Sequence, residues 1–259
     1  MIIGFLDSGI GGLSVLHRAL KVLPDAHYIY YADTDNVPYG VKPKETVLKI
    51  VGNVMEFLTA RKVDAVVVAC NTATSVAIKD MREIYDIPLI GMEPAVKKAR
   101  EEYPEGRTLV MATPVTVQGD KMKYLLERVD SDHLVDMIPM PDLVRFAETG
   151  IFDGEEVQSY ISDQLKGTDL SQYTSLVLGC THFNYFKKAL RAQIPEPISF
   201  VDGIEGTVAQ LLRKINRTPA QASDNPPEVD YYFSGRPATP AEQERIKNLY
   251  KILDEVADE

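Results

Sequence analysis

The residues most able to do chemistry in this chain are its two cysteines, Cys70 and Cys180. Cys70 lies in "DAVVVACNTATSVA" and Cys180 in "YTSLVLGCTHFNYF"; each ends an apolar run and is followed by threonine-type residues. Two thiols facing each other across a cleft could take a proton from one face of a carbon and return one to the other. A free thiol titrates near 8.5, and a helix N-terminus or a cation can move it toward neutrality. One sulfur can then wait as thiolate base and the other as thiol acid. Plainer readings remain open for each cysteine alone, as a small buried hydrophobe or half of a disulfide. No CxxC or Cys/His spacing suggests zinc, so no metal site is expected.

Other residues gather around the same two points. Asp7 ends the first strand and opens "DSGIGG", which is neither a dinucleotide fingerprint nor a P-loop, because no Lys-Ser/Thr follows the glycines. Such a turn is either an anion site made of backbone N–H groups or a tight strand-to-helix connection. Asp7 itself could orient or accept a proton near Cys70. Asn71 and Thr72 after Cys70, and Thr181 and His182 after Cys180, either cap helices or hold a substrate's ammonium and carboxylates. His182, two residues from a thiol, is the histidine best placed for acid/base work, whereas His17, His27 and His133 fall in helix or strand patterns. In the turn-rich "DTDNVPYG", Tyr39 either reaches the cleft or stays on the surface.

These residues need a scaffold that brings 70 and 180 together. Short β-branched runs alternate with amphipathic segments, the pattern of an α/β protein with parallel strands. Strands are expected at 2–6, 27–32, 64–69, 87–91, 107–112, 133–138, 174–179 and 197–201, all nearly continuously apolar, as strands buried on both faces should be. Val47, Val51, Val54 or Met55, and Leu58 mark one helix, with Pro43 in its first turn. A Pro/Ser/Asn-rich connector at 217–228 precedes a short strand "DYYFS" and a charged closing helix from about Ala238 to Asp258.

The chain also repeats itself loosely. Asp7 stands 63 residues before Cys70 and Thr113 stands 67 before Cys180; Cys70 precedes Pro88 by 18 and Cys180 precedes Pro197 by 17. "IIGFLDSGIGGLSVLHRAL" matches "TLVMATPVTVQGDKMKYLL" in kind: strand, polar residue, turn, helix. Two pseudo-symmetric parallel-sheet α/β halves follow, split near residue 98, with the active site in the cleft between them. In open α/β sheets that cleft lies at the carboxyl ends of the strands, where both cysteines sit.

The formal charge of −10 over 259 residues excludes nucleic acid and anionic membrane as expected partners. No apolar stretch approaches the ~20 residues that span a bilayer. "MIIGFLDSG" reads as a core strand rather than a signal peptide. A cytoplasmic, reducing location is the expectation, and there two cysteines are free thiols.

The ordered motifs "DSGIGGLSV", "ADTDNVPYG", "ACNTAT", "GCTHF" and the terminal "YYFSG" unit resemble the glutamate racemases of the aspartate/glutamate racemase superfamily, over nearly the whole chain. The resemblance implies cofactor-independent interconversion of L- and D-glutamate, supplying D-glutamate for peptidoglycan. It also implies the domain bounds, 1–97 plus 208–259 for the first and 98–207 for the second. Carried over, Cys70 takes the α-proton of D-glutamate and Cys180 protonates the other face, with roles reversed for L-glutamate. Asp7 would assist Cys70, and His182 would assist Cys180 with Glu148 beside it. Ser8, Pro38, Tyr39, Gly40, Asn71, Thr72, Thr113, Thr116 and Thr181 would bind substrate together with Asp7, His182 and both cysteines. Two positions depart from the family: Val115 stands where glycine is usual, and Asn184 where a proline often follows the His-aromatic pair. The only partner implied is the small-molecule substrate; a homodimer is the candidate assembly, and activation by a nucleotide-linked muropeptide is not expected. Aspartate racemisation, a one-thiol decarboxylation and an amino-acid sensor that does no chemistry are the alternatives.

Overall fold

Each of the eight runs expected as strands contributes a strand in a computed structural model of the chain, which describes residues 1–92, 94–194, 197–220 and 227–257. The first unit runs β1 (Ile2–Asp7), α1 (Leu13–Val22), β2 (His27–Ala32), α2 (Lys44–Thr59), β3 (Ala65–Val68), α3 (Asn71–Ile84) and β4 (Leu89–Gly91), and α4 (Val96–Glu102) follows, packed on the second sheet. The second runs β5 (Arg107–Ala112), α5 (Pro114–Gln118), α6 (Asp120–Val129), β6 (Val135–Pro139), α7 (Pro141–Thr149), α8 (Glu155–Leu165), β7 (Tyr173–Leu178), α9 (Lys187–Arg191) and β8 (Ser199–Val201). The chain then returns through α10 (Ile204–Lys214), β9 (Glu228–Phe233), β10 (Arg236–Pro237) and α11 (Pro240–Glu255).

The repeat seen in the sequence is a repeat of topology. The first sheet has the order β10-β9-β2-β1-β3-β4 and the second β6-β5-β7-β8. Within both, the strand that opens the unit lies between the second and third, and the fourth flanks the third. All described pairings are parallel except the β9–β10 hairpin. The strand order reverses beside β1 and beside β5, so each sheet has its crevice at a carboxyl edge. Asp7 and Cys70 occupy that edge in one unit, Thr113 and Cys180 in the other. β9 extends the first sheet next to β2, and α11 packs on α1 and on the 181–186 turn. One apolar cluster runs unbroken from α1 through α7 to Phe183, Tyr185 and Phe186, so the two units share a core.

Some expectations shift. The strand expected at 133–138 starts at Val135, because His133 adopts φ of 55° and the Asp130 carboxylate accepts hydrogen bonds from the Leu134 and Val135 N–H groups. That strand is half-buried, being an edge of its sheet. His133 is thus in a turn. Pro43 is the N-cap of α2 rather than a residue of its first turn; Val47, Val51, Val54, Met55 and Leu58 are all buried as expected. Residues 221–226 of the connector, Glu93 and the expected helix end at Asp258 lie outside the described residues. Among the described residues no helix is long and apolar enough to cross a membrane.

Candidate active site

Each cysteine begins a helical turn at the end of a buried strand. Cys70 is itself the N-cap of α3, with its Sγ accepting from the Ala73 N–H at 3.4 Å. The cap expected of Asn71 or Thr72 therefore falls to the thiol. Cys180 is the N-cap of the 3-10 turn Thr181–Phe186. Both cysteines are buried and unpaired, which leaves the disulfide reading without support.

Around Cys70, Ser8 Oγ lies 4.0 Å from the sulfur. Asp7 is fully buried; one oxygen accepts from the Gly9 N–H at 2.9 Å and the other from the Thr181 hydroxyl at 3.2 Å. Burial pushes the Asp7 carboxyl up, against the opposing pull of His182. Burial likewise raises the Cys70 thiol, and the nearby charges of Asp7 and Cys180 raise it further. Burial and the nearby negative charges thus push the Cys70 thiol above its ordinary range rather than toward neutrality. The Ala73 N–H and Ser8 pull only weakly the other way.

Around Cys180 the arrangement is different. His182 places Nδ1 3.8 Å from Cys180 Sγ and Nε2 2.7 Å from Glu148 Oε1. Burial alone would lower the imidazole, but its bonds to Cys180 and Glu148 prevail and hold it well above the ordinary histidine value. When protonated, it can return a proton to the sulfur after the sulfur has given one up. Glu148 also accepts from the Ile10 N–H at 2.8 Å, so a residue of the second unit grips the glycine turn of the first. A Cβ on Gly9 would collide with the Glu148 carboxylate, which is what requires glycine there.

The remaining expected residues converge on the same space. Thr113 and Thr116 share a 3.0 Å hydroxyl contact, and Thr113 meets Thr72 across the units at 3.0 Å. Gly40 approaches so closely that a Cβ would lie 2.5 Å from that of Thr113. Tyr39 is buried, its hydroxyl donating to Asp33 at 2.7 Å, and half-buried Pro38 precedes it. Asn71 is buried with both amide atoms unpartnered. Together with Thr116 it lines a cavity of about 210 Å³ walled by Thr74, Met92, Met122 and Leu125. The cavity does not reach either sulfur. Val115 packs partly buried against the apolar core of the first unit, and Asn184 donates from its amide to the Thr181 carbonyl at 3.2 Å. His17 pairs with Asp254 and His27 with Asp230, both away from the thiols.

Three residues escape sequence reasoning. Tyr30 and Tyr185 donate to the carbonyls of Gly9 and Ile10 at 2.8 and 3.0 Å, clamping the glycine turn from both units. Asp33 orients Tyr39. The tyrosines looked like core aromatics, and only Asp33, at a strand end, carried a signal. Among the described residues no group of three His, Cys, Asp or Glu is arranged to hold a metal ion.

Two sheet units thus each carry a buried cysteine at the carboxyl edge, Cys70 with Asp7 nearby and Cys180 with His182 beside it, an arrangement of the kind found in isomerases that move a proton. The Asp/Glu/Hydantoin racemase family model matches residues 8–211, and the chain belongs to that family. It is 50% identical over 240 residues to the glutamate racemase of Campylobacter curvus, covering 90% of each chain. To that of Halothermothrix orenii it is 44% identical over 257 residues, covering 99% of this chain and 100% of the other. The crystal structure of Escherichia coli glutamate racemase with L-glutamate and the activator UDP-MurNAc-Ala superposes with a TM-score of 0.81 at 26% identity, covering 97% and 94% of the two chains. Within the family the chain sits among the glutamate racemases, and it is an enzyme of the isomerase class.

Proposed function

We propose that this protein interconverts L- and D-glutamate without a cofactor, using Cys70 and Cys180 as the acid/base pair. The observation that carries the reading is the bridge from Asp7 through Thr181 to the Cys180 turn, which joins the supports of the two thiols in one buried network. On Cα–H cleavage the proton passes to the thiolate on one face, and the electron pair stays on carbon. The thiol on the opposite face delivers its proton to that carbon. The protonation states of the two sulfurs are thereby exchanged, and His182 and Asp7 are placed to restore them.

Substrate binding belongs to the same proposal. The glutamate ammonium places a positive charge beside Cys70, opposing the Asp7 charge that raises the thiol, and so favours its thiolate. The hydroxyls of Thr72, Thr113 and Thr116 and the unpartnered Asn71 amide suit a side-chain carboxylate. The units 1–97 plus 208–259 and 98–207 would open to admit it, since both sulfurs are buried. A cytoplasmic homodimer feeding D-glutamate to peptidoglycan completes the proposal; sedimentation tests the dimer.

The deciding experiment incubates D- and L-glutamate separately in D₂O. Both rotations should decay to zero while the product's α-position fills with deuterium. Deuterium exchange without loss of rotation, exchange with aspartate alone, or binding without exchange would each overturn the reading.

A further inference from the structure

We propose that Arg245, on the closing helix α11, is a positioning residue for the Glu148–His182 pair, an inference that rests on the role of Cys180 proposed above. Glu148 is the penultimate residue of α7, and the last carbonyls of a helix have no partner within it. The turn after α7 satisfies two of them: the Gly150 N–H bonds Ala147 O at 3.0 Å and the Ile151 N–H bonds Phe146 O at 2.9 Å. The Glu148 carbonyl is met instead by Arg245, whose Nη2 donates to it at 2.6 Å and reaches Ala147 O at 3.5 Å. The guanidinium thus holds the Glu148 main chain from outside, while the Glu148 side chain faces inward to His182 and Ile10.

The placement is specific in two further ways. A cation at a helix C-terminus complements the helix dipole. The Arg245 charge also acts on Tyr185, whose hydroxyl fixes the Ile10 carbonyl while the Ile10 N–H donates to Glu148. Arg245 therefore holds the main chain of the residue whose carboxylate meets both Ile10 N–H and His182 Nε2. Its own position is set one turn earlier. Thr239 and Glu242 form a reciprocal N-cap, and Arg236 forks onto Glu242 at 2.6 and 2.8 Å. Ile246, Leu249 and Leu253 then seat α11 on the core. In sequence Arg245 is one charge among many on a charged helix. Only the fold brings it against a carbonyl 97 residues away.

The test uses the whole protein with Arg245→Ala and Arg245→Lys. Arg245→Ala should lower kcat/KM equally for both enantiomers, about ten- to a hundredfold, as expected when a catalytic group is misplaced by up to ~1 Å. KM should change much less than kcat, and Arg245→Lys, which keeps one donor, should recover part of the loss. Independently of any substrate, the imidazole ¹⁵N signals of His182 should titrate at lower pH in Arg245→Ala than in the parent. A folded Arg245→Ala protein with kcat within twofold of the parent and unchanged His182 titration would overturn the proposal, whatever its melting temperature. Equal activity of the Ala and Lys variants would do the same. If Arg245→Ala does not fold, the lysine variant's titration decides. If the parent fails to racemise glutamate, the function proposed above falls, and the His182 titration still tests Arg245.

Discussion

Gly11 offers a sharp test of the proposed site, because a single methyl group there would press on the turn that carries Thr181 and His182. A Cβ at Gly11 would stand 2.5 Å from Thr181 Oγ1 and 2.7 Å from His182 Cε1, and closer still to His182 Nδ1, where ordinary contact begins at 3.4 Å. Neither neighbour is the loose end of a flexible side chain. His182 is held at both ring nitrogens, Thr181 is tied to Asp7, and both residues are buried. Relief thus needs a shift of about 1 Å in the imidazole, the threonine or the glycine turn. Overpacking of this kind costs about 1–3 kcal/mol of stability, or a fall of ~2–10 °C in Tm for a chain of this size. The same ~1 Å displacement of a proton-relay group costs about 10²-fold in rate, equivalent to ~2.7 kcal/mol of barrier. Gly11→Ala should therefore fold and melt cooperatively yet racemise about a hundredfold more slowly. Polarimetry from each pure enantiomer measures it, and kcat/KM must fall by the same factor in both directions because the equilibrium constant between enantiomers is one. Gly52→Ala is the control: nothing lies within 4 Å of its Cβ on α2, so it should gain ~0.5–1 kcal/mol and keep full activity. A Gly11→Ala enzyme within threefold of the parent would refute the placement of His182 and Thr181 against that turn.

Cys70→Ser and Cys180→Ser should each lose racemisation by orders of magnitude, because a hydroxyl is a far weaker acid than a thiol. Cys70→Ser should still eliminate a β-leaving group from L-analogues and Cys180→Ser from D-analogues; the same enantiomer preference in both would contradict facing thiols. Asp7→Asn should slow turnover yet raise Tm at neutral pH: its raised folded value means that stability present below the ordinary 3.8 is lost as pH rises through the folded value. Melts of both proteins from acid to neutral pH should therefore converge at the acid end. Glu148→Gln should remove the negative charge that helps raise His182, so the imidazole should titrate at lower pH by NMR. At the surface, Glu242 is held down to about 2 by Arg236, so its contribution is present above its ordinary 4.5 and lost as pH falls toward 2. Glu242→Gln, which can keep the capping box but loses the charge facing Arg236, should lose about 0.2–1 kcal/mol at neutral pH and little in acid, as read from denaturant midpoints.

Much of this protein was legible in one dimension. Parallel strands buried on both faces can only be continuous apolar runs, so all eight of the expected strands stood out, and Val47 to Leu58 announced their helix by spacing alone. Cys70 and Cys180 were legible for a related reason: a polar or reactive residue directly after such a run must lie at the carboxyl edge, where α/β sheets bind ligands. What lay beyond reach was every property set by neighbours distant in sequence. Whether Cys70 is protonated depends on its burial and on Asp7, 63 residues earlier. Whether His182 is charged depends on Glu148, and the orientation of Glu148 depends on Ile10, 138 residues away. Tyr30, Tyr185 and Arg245 gave no sign, since buried aromatics and a charged helical face are ordinary features of any sequence. Residue type and periodicity follow from local backbone geometry, so the sequence by itself determined the elements and the edge on which chemistry occurs. Electrostatic state and side-chain aim are sums over contacts that only chain closure creates, so the tertiary structure alone decided how that edge is charged and held.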